Sequence, residues 1–139
     1  MNDLPIVADI RREWDWVRPG VEEIIAGQPQ LTYRPEDVYA ACVNQEATLF
    51  VRKGAPGNDF AVTIVEFDKY SGEKGLFMWL AYLNQRGKKQ ASKLMEFFEQ
   101  VGRDCGCSYV ELKTPLEPLG TYYLENGWEL DTKVYTRKI

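Results

Sequence analysis

The feature that most constrains the fold is a run of apolar residues that ends in a basic, glycine-containing turn. Residues 76–83 are apolar throughout, and such a strand is typical of the centre of a sheet that is covered on both faces. Residues 86–91 follow, and apolar side chains at helical spacing begin with Ala91. A strand that leads through such a turn into a helix presents backbone N–H groups to an anion. The sequence therefore predicts an anion site at this turn.

Two helices are predicted before the central strand. Apolar side chains recur at spacings of three and four residues across 9–26, as on one face of a helix, and Pro19 is expected to kink or restart it. Trp14 and Trp16 cannot share a face of that helix, so we expect one in the core and the other at a rim or contact surface. A second, short helix is predicted over 35–43, because proline and acidic residues favour a first helical turn.

The remaining elements predict a mixed sheet. Strands are expected at 47–52, 60–68 and 75–83, then a helix that begins at Gly87 and ends before Gly106, a strand at 109–113, a helix at 116–125 and one or two strands within 128–139. The strand, crossover helix and strand in the middle imply one parallel pair inside an otherwise antiparallel sheet. We therefore expect one α/β (α+β) domain over residues 1–139, with a sheet of about five or six strands and about four helices.

Histidine is absent and cysteine is scarce, which limits the chemistry of any active site. Without histidine there is no Ser-His-Asp or Cys-His catalysis. Three cysteines cannot supply four zinc ligands, so no metal site is expected. An odd number of cysteines without a Cys-x-x-Cys pair indicates reduced thiols and an intracellular protein. A general base would have to be a carboxylate, a tyrosine or water.

The charge balance limits the partners. The net charge of −4 disfavours nucleic acids and anionic membranes as partners of the whole chain. Any polyanion site must therefore be local, and Arg86, Lys88 and Lys89 form one such basic patch. Binding of RNA or DNA through it is the least favoured function, because of the net charge and because no platform of aromatic and basic residues is recognised. No apolar run approaches the roughly 20 residues needed to cross a bilayer, and the first residues lack the pattern of a signal peptide. A soluble, cytoplasmic protein is expected.

Two segments resemble the GNAT superfamily of acyl-CoA-dependent N-acyltransferases. They are Arg86-Gly87-Lys88-Lys89-Gln90-Ala91 after the central strand, and Tyr122-Tyr123-Leu124-Glu125-Asn126-Gly127-Trp128 near the end. The resemblance covers the chain from about Ala47 onward. It implies the fold just described and a pyrophosphate-binding turn with a pantetheine arm along the central strand. The residues that it implies for contact with acetyl-CoA are Ala81, Tyr82, Leu83, Arg86, Gly87, Lys88, Lys89 and Ala91.

Lys89 departs from the family pattern, because the superfamily has a glycine at this position. A Cβ here would crowd the phosphates where glycine allows the backbone to approach closely. Alternatively, the ammonium of Lys89 would contact the pyrophosphate directly and replace an amide contact with a charge. Both interpretations remain open at the level of the sequence.

The resemblance also implies catalytic residues. Tyr123 occupies the position of the family tyrosine that protonates the departing thiolate, and Glu66 on the preceding strand is the candidate base, with Asp68 as the second choice. Each has a purely structural alternative: Tyr123 packs on the last helix with Gly127 as its cap, and Glu66 is a solvent-facing acid. The family asparagine before the last helix is missing, since residues 114–118 read Thr-Pro-Leu-Glu-Pro.

The chain more narrowly resembles small GNAT-like proteins of tailed bacteriophages. That resemblance rests on residues 13–14, 34–40, 47–51 and 127–137. It keeps two functions open. The first is an N-acyltransferase in which an amine attacks the thioester directly. The second is a catalytically degenerate module in the host cytoplasm or the virion, which contacts phage structural proteins or itself as a homo-oligomer.

Overall fold

The protein has a single mixed sheet with helices on both faces. The computed structural model describes residues 4–28, 31–54, 57–83, 88–113, 123–131, 134–135, 137 and 139, with the backbone alone for 88–92. The elements in chain order are β1 (Ile6–Ala8), α1 (Ile10–Ala26), α2 (Pro35–Val43), β2 (Thr48–Arg52), β3 (Asp59–Phe67), β4 (Lys74–Tyr82), α3 (Lys88–Asp104) and β5 (Tyr109–Leu112).

The sheet confirms the predicted mixture of strand directions. Its order is β1-β2-β3-β4-β5. The pairs from β1 to β4 are antiparallel, whereas β4 and β5 run parallel because α3 carries the chain across the sheet between them. Among the described elements this parallel pair lies at one edge of the sheet and the short β1 at the other.

Local chemistry explains the starts of α1 and α2. The carboxylate of Asp9 caps α1 by accepting a hydrogen bond from the Arg11 N–H at 2.9 Å. The Arg34 N–H donates to the Asp37 carboxylate at 2.8 Å, and Pro35 fills the first helical position of α2, where no N–H is needed. Pro19 lies inside α1 without ending it, so of the two expected effects, a kink or a restart, the restart does not occur.

The two faces of the sheet carry separate cores. One face, called here the α1 face, packs Val17 and Val21 of α1 against a sheet cluster that includes Leu49, Val62 and Leu80. The other, the α3 face, packs Phe98 of α3 against a second cluster. The strand residues of that second cluster are Phe50, Ala61, Leu76 and Met78. Because β4 contributes to both clusters, the prediction of a strand covered on both faces is confirmed.

A buried ion pair joins β2 and β3. Arg52 and Asp59 are directly opposed in the register, and the Asp59 Oδ2 accepts from the Arg52 Nε at 3.0 Å and from its Nη2 at 2.6 Å. Both side chains are almost completely buried, with 5% and 4% of their surface exposed. Removing two charges from water is costly, so each of these charges depends on its partner to remain buried.

Trp14 and Trp16 both pack against the core of the α1 face. Trp14 contacts Tyr39, with ring centroids 5.1 Å apart, and the Trp16 indole N–H donates to the buried carboxylate of Glu13 at 2.5 Å. The other oxygen of Glu13 accepts from Lys53, and these two hydrogen bonds hold the pKa of Glu13 below its ordinary value. Both indoles are thus partly buried against the same core; the rim position expected for one of them is present, and neither is a fully exposed contact residue.

Three expectations at the ends of the chain need correction or fall outside the structure. β1 was not predicted, because three apolar residues are too short a run to show alternation. The predicted strands within 128–139 are wrong for the residues that the structure describes there, none of which is in a strand. Val134 and Tyr135 in this segment are more than four fifths exposed. Of the predicted last helix, residues 123–125 are helical and 116–122 lie outside the described residues.

Across the described part of the chain, no helix has the length and apolar character needed to pass through a bilayer.

Candidate active site

The first element of the candidate site is the end of β4 beyond its pairing with β5, called here the opening of the described sheet. Their parallel pairing runs from Gly75 opposite Tyr109 to Met78 opposite Leu112. The rest of β4, from Trp79 to Tyr82, has no pairing with β5 in the described chain. Backbone N–H and C=O groups along such an edge require other partners. An extended chain that carries amides of its own can supply them.

A bulge in β4 lies where this pairing stops. The register with β3 passes from Val62 opposite Leu80 to Thr63 opposite Met78, so Trp79 is an extra residue. Trp79 and Leu80 consequently both pack in the cluster of the α1 face, whereas side chains normally alternate. A bulge redirects the strand and breaks the regular ladder. The strand is thus irregular at the inner end of the opening.

The start of α3 is the second element. The helix begins at Lys88, five residues beyond Leu83, and its first turn contains no acidic residue. The first N–H groups of a helix lack intrahelical partners and lie at the positive end of the dipole. This confirms the predicted passage from strand to helix. Arg86 and Gly87 lie outside the described residues.

The predicted cofactor residues at the end of β4 point to opposite faces. Tyr82 lies on the α1 face, where its ring stacks on Phe60 at 5.5 Å and 8°. Its hydroxyl donates to the Glu23 carboxylate at 2.8 Å, and this bond is the main cause that raises the pKa of Tyr82. Ala81 and Leu83 border a cavity on the α3 face. The three residues therefore lie at the same end of β4 but on different faces of the sheet.

Gly20 allows α1 to approach this strand end closely. A Cβ at Gly20 would lie 2.6 Å from the Cε1 of Phe60 and 3.3 Å from the Cδ2 of Tyr82. Together with the bond to Glu23, this contact holds the end of β4 against α1. Sequence reasoning did not single out Gly20 or Glu23, since only the folded chain shows that α1 crosses β4 at that point.

Two carboxylates lie on β3 and β5 beside the paired part of β4, before the opening begins. Glu66 is opposite Gly75, and Glu111 is opposite Phe77. Burial, followed by the negative charge of Glu111, raises the pKa of Glu66, while Lys113 acts in the other direction. The ammonium of Lys113 lies over the Phe77 ring at 5.0 Å from its centroid. Sequence reasoning selected Glu66 but missed Glu111, whose relation to Glu66 depends on the register.

The register also gives the distance between these acids and the bulge. Four residues separate Gly75 from Trp79, so Glu66 lies about 13 Å along the strand from the bulge, and Glu111 about 7 Å. The role of Glu66 as a base stays a prediction. Asp68, the second choice, accepts hydrogen bonds from the backbone N–H groups of Tyr70 and Ser71. These bonds hold its pKa low and give it a clear role as a turn cap.

Tyr123 lies at the end of a helical segment. Its carbonyl accepts hydrogen bonds from the N–H groups of Asn126 and Trp128, both at 3.0 Å. Its ring packs against Trp128 with centroids 5.5 Å apart. Gly127 has a φ of +87°, as expected at a helix C-terminus. The structural role weighed for Tyr123 is therefore present, and its catalytic role stays a prediction.

Other reactive groups add little to the site. Burial raises the pKa of the Cys42 thiol to about 11, and burial together with Cys105 raises that of Cys107, so neither is a thiolate at neutral pH. Within the part of the chain that the structure describes, no cluster of three or more metal-binding side chains occurs.

The fold is shared with solved acetyltransferase structures. One is described as a probable acetyltransferase, with a TM-score of 0.72, 18% identity and coverage of 100% of this chain and 98% of that chain. A putative acetyl transferase from Pyrococcus furiosus gives 0.76, 15% identity and coverage of 97% and 99%. An aminoglycoside N-acetyltransferase in complex with CoA gives 0.67, 14% identity and coverage of 97% and 98%.

These identities establish the fold and not the activity. The protein thus has the GNAT fold, as the sequence resemblance implied. No family model matches the sequence, and no curated protein matches it at the level of sequence.

Proposed function

We propose that the protein is an N-acyltransferase that moves an acyl group from CoA to an amine in the cytoplasm, with acetyl-CoA as the simplest donor. One observation carries the proposal: the bulge at Trp79 and the end of the β4–β5 pairing occur together. A pantetheine arm carries two amides and suits the end of β4, which has no pairing with β5 among the described residues. The amides and dipole at the start of α3 suit a pyrophosphate.

The reaction needs no redox partner. The amine first loses a proton from its ammonium form, and its nitrogen then attacks the thioester carbonyl. A C–N bond forms and the C–S bond breaks, so the products are an amide and CoA. In our proposal the carboxylate pair Glu66 and Glu111 accepts the first proton, from the ammonium form of the amine, through water. The leaving thiolate receives a proton from Tyr123, and the second proton that the nitrogen gives up restores the Tyr123 hydroxyl through water.

Binding of CoA tests the proposal directly. Isothermal titration of the protein with CoA should give saturable heat at millimolar concentrations or below, and the binding should weaken with salt because the ligand is anionic. Absence of heat with both CoA and acetyl-CoA would refute the proposal. The variant Lys89→Gly separates the two interpretations of Lys89, since weaker binding indicates an ammonium contact and tighter binding indicates crowding. Lys69→Gly in an exposed turn serves as the control.

The carboxylate pair predicts a specific pH dependence. A base must be deprotonated, so kcat/KM should fall as the pH drops through the raised pKa of Glu66. Glu66→Gln should lower kcat about 10²-fold and flatten this acid limb. Glu111→Gln should instead move the limb to lower pH, because it removes the charge that raises the pKa of Glu66. An unchanged limb in both variants would exclude the pair as the base.

The alternative of a catalytically degenerate protein-interaction module has less support. It was motivated partly by Trp14 and Trp16 as contact residues, and both pack against the core. Lys89, which stands where the superfamily has a glycine, still favours this alternative. A phage structural protein as partner and a homo-oligomer belong to this alternative, and failure of CoA to bind would lead back to it.

A further inference from the structure

A small cavity lies on the α3 face below the end of β4. It lies between the sheet and the first half of α3 and has a volume of about 30 Å³. Apart from the ion pair of Arg52 and Asp59, its walls are apolar. The side chains that shape it include Phe50, Ala61, Met78, Ala81, Met95 and Phe98. A space of this size holds about two groups as large as a water molecule or a methylene.

The cavity exists because two alanines face each other. Ala61 on β3 and Ala81 on β4 are direct partners in the register, and both border the cavity. In most sheet positions that face a helix, a larger side chain fills this space. The bulge contributes as well, because it places both Trp79 and Leu80 on the α1 face and leaves Ala81 as the next side chain after Met78 on the α3 face.

The two ends of the cavity differ in exposure. Ala61 is buried, with 6% of its surface exposed, whereas Ala81 is exposed and Leu83 has 39% exposed. The open end therefore lies on the stretch of β4 beyond Met78, where pairing with β5 has ended. Ala81 and Leu83 both border the cavity, so its mouth lies beside the stretch of β4 proposed for the pantetheine arm.

We propose that this cavity receives the tail of an unbranched acyl group of three or four carbons, so that the preferred donor carries a propionyl or butyryl rather than an acetyl group. The inference rests on the proposed function and specifies its donor. The apolar walls match a hydrocarbon tail, and the two methionines can adjust to its length, since their side chains are unbranched and flexible. The thioester would remain at the bulge, next to the stretch of β4 that lies beyond the described pairing with β5.

Titration calorimetry with CoA, acetyl-CoA and butyryl-CoA tests the proposal without any acceptor or turnover. Each methylene that is buried tightens binding about fourfold. Butyryl-CoA should therefore bind about 15-fold more tightly than acetyl-CoA if both extra methylenes enter the cavity. Equal affinity for the two esters would mean that the cavity is an ordinary packing void. No binding of any ester would refute the proposed function itself.

Two matched variants locate the effect. Ala61→Val fills the cavity from its closed end and should abolish the preference, so that butyryl-CoA and acetyl-CoA bind about equally tightly. Ala8→Val makes the same change on β1 at the other edge of the sheet and should leave the preference intact. If Ala61→Val does not fold, Ala81→Val at the exposed mouth replaces it. A butyryl preference that survives in the cavity variant would place the acyl tail elsewhere and overturn the inference.

Discussion

Replacing Tyr123 by phenylalanine should lower kcat about 10³-fold while leaving the KM for the acyl donor nearly unchanged. The variant removes only the hydroxyl, so the packing of the ring against Trp128 and the carbonyl bonds at the helix end remain. An ordinary phenol has a pKa of about 10 and an ordinary thiol about 8.5. The site has to bring these two pKa values closer together before the proton transfer can assist the transition state.

Steady-state kinetics of Tyr123→Phe over a range of pH provides the measurement. The loss should be confined to kcat, and thermal unfolding should be close to that of the wild type. Tyr135→Phe is the matched control, because Tyr135 is 86% exposed and its hydroxyl should not affect turnover. If Tyr123→Phe keeps full activity, Tyr123 only closes the helix and the thiolate takes its proton from water.

Breaking the buried ion pair should cause the largest loss of stability. Arg52→Met leaves the carboxylate of Asp59 in a nearly dry position, and removal of one partner from such a pair costs about 3–5 kcal/mol of unfolding free energy. The double variant Arg52→Met with Asp59→Leu removes both charges and should recover most of that loss. Urea unfolding of the two single variants and the double variant forms the complete cycle.

The control for this cycle is the exposed pair of Arg18 and Glu22, whose side chains are about half exposed. Arg18→Met should change the unfolding free energy by less than about 1 kcal/mol. If the double variant at positions 52 and 59 is no more stable than the single variants, the two side chains contribute through their other contacts and not as a mutually dependent pair. The cavity wall that they share would then be held by those contacts.

The sequence predicted most of the fold because its strongest signals are local. Helical spacing in α1, the proline and acids at the start of α2 and the turn residues between strands all act over a few positions. The parallel pair also followed from element order alone. β1 was missed because it is short, and the strands predicted near the end fall on residues that, where described, include the largely exposed Leu130, Val134 and Tyr135.

The site was predictable only in part, because several of its features depend on register. Apolar residues fill both faces of β4, so the sequence has no break in alternation that would reveal the bulge at Trp79. The relation of Glu111 to Glu66 and the bond of Glu23 to Tyr82 join residues that are 45 and 59 positions apart, respectively. No local pattern identifies such partners. Tyr82, by contrast, was located correctly at the end of the central strand.

The bulge in β4 has a consequence for how such a chain changes over generations. Without Trp79, the side chains from Met78 to Tyr82 would alternate in the ordinary way and each would keep its present side. The irregular register between β3 and β4 thus corresponds to a single inserted amino acid. Loss of one codon would restore a regular ladder with these side chains on their present faces, and gain of one codon would interrupt it again.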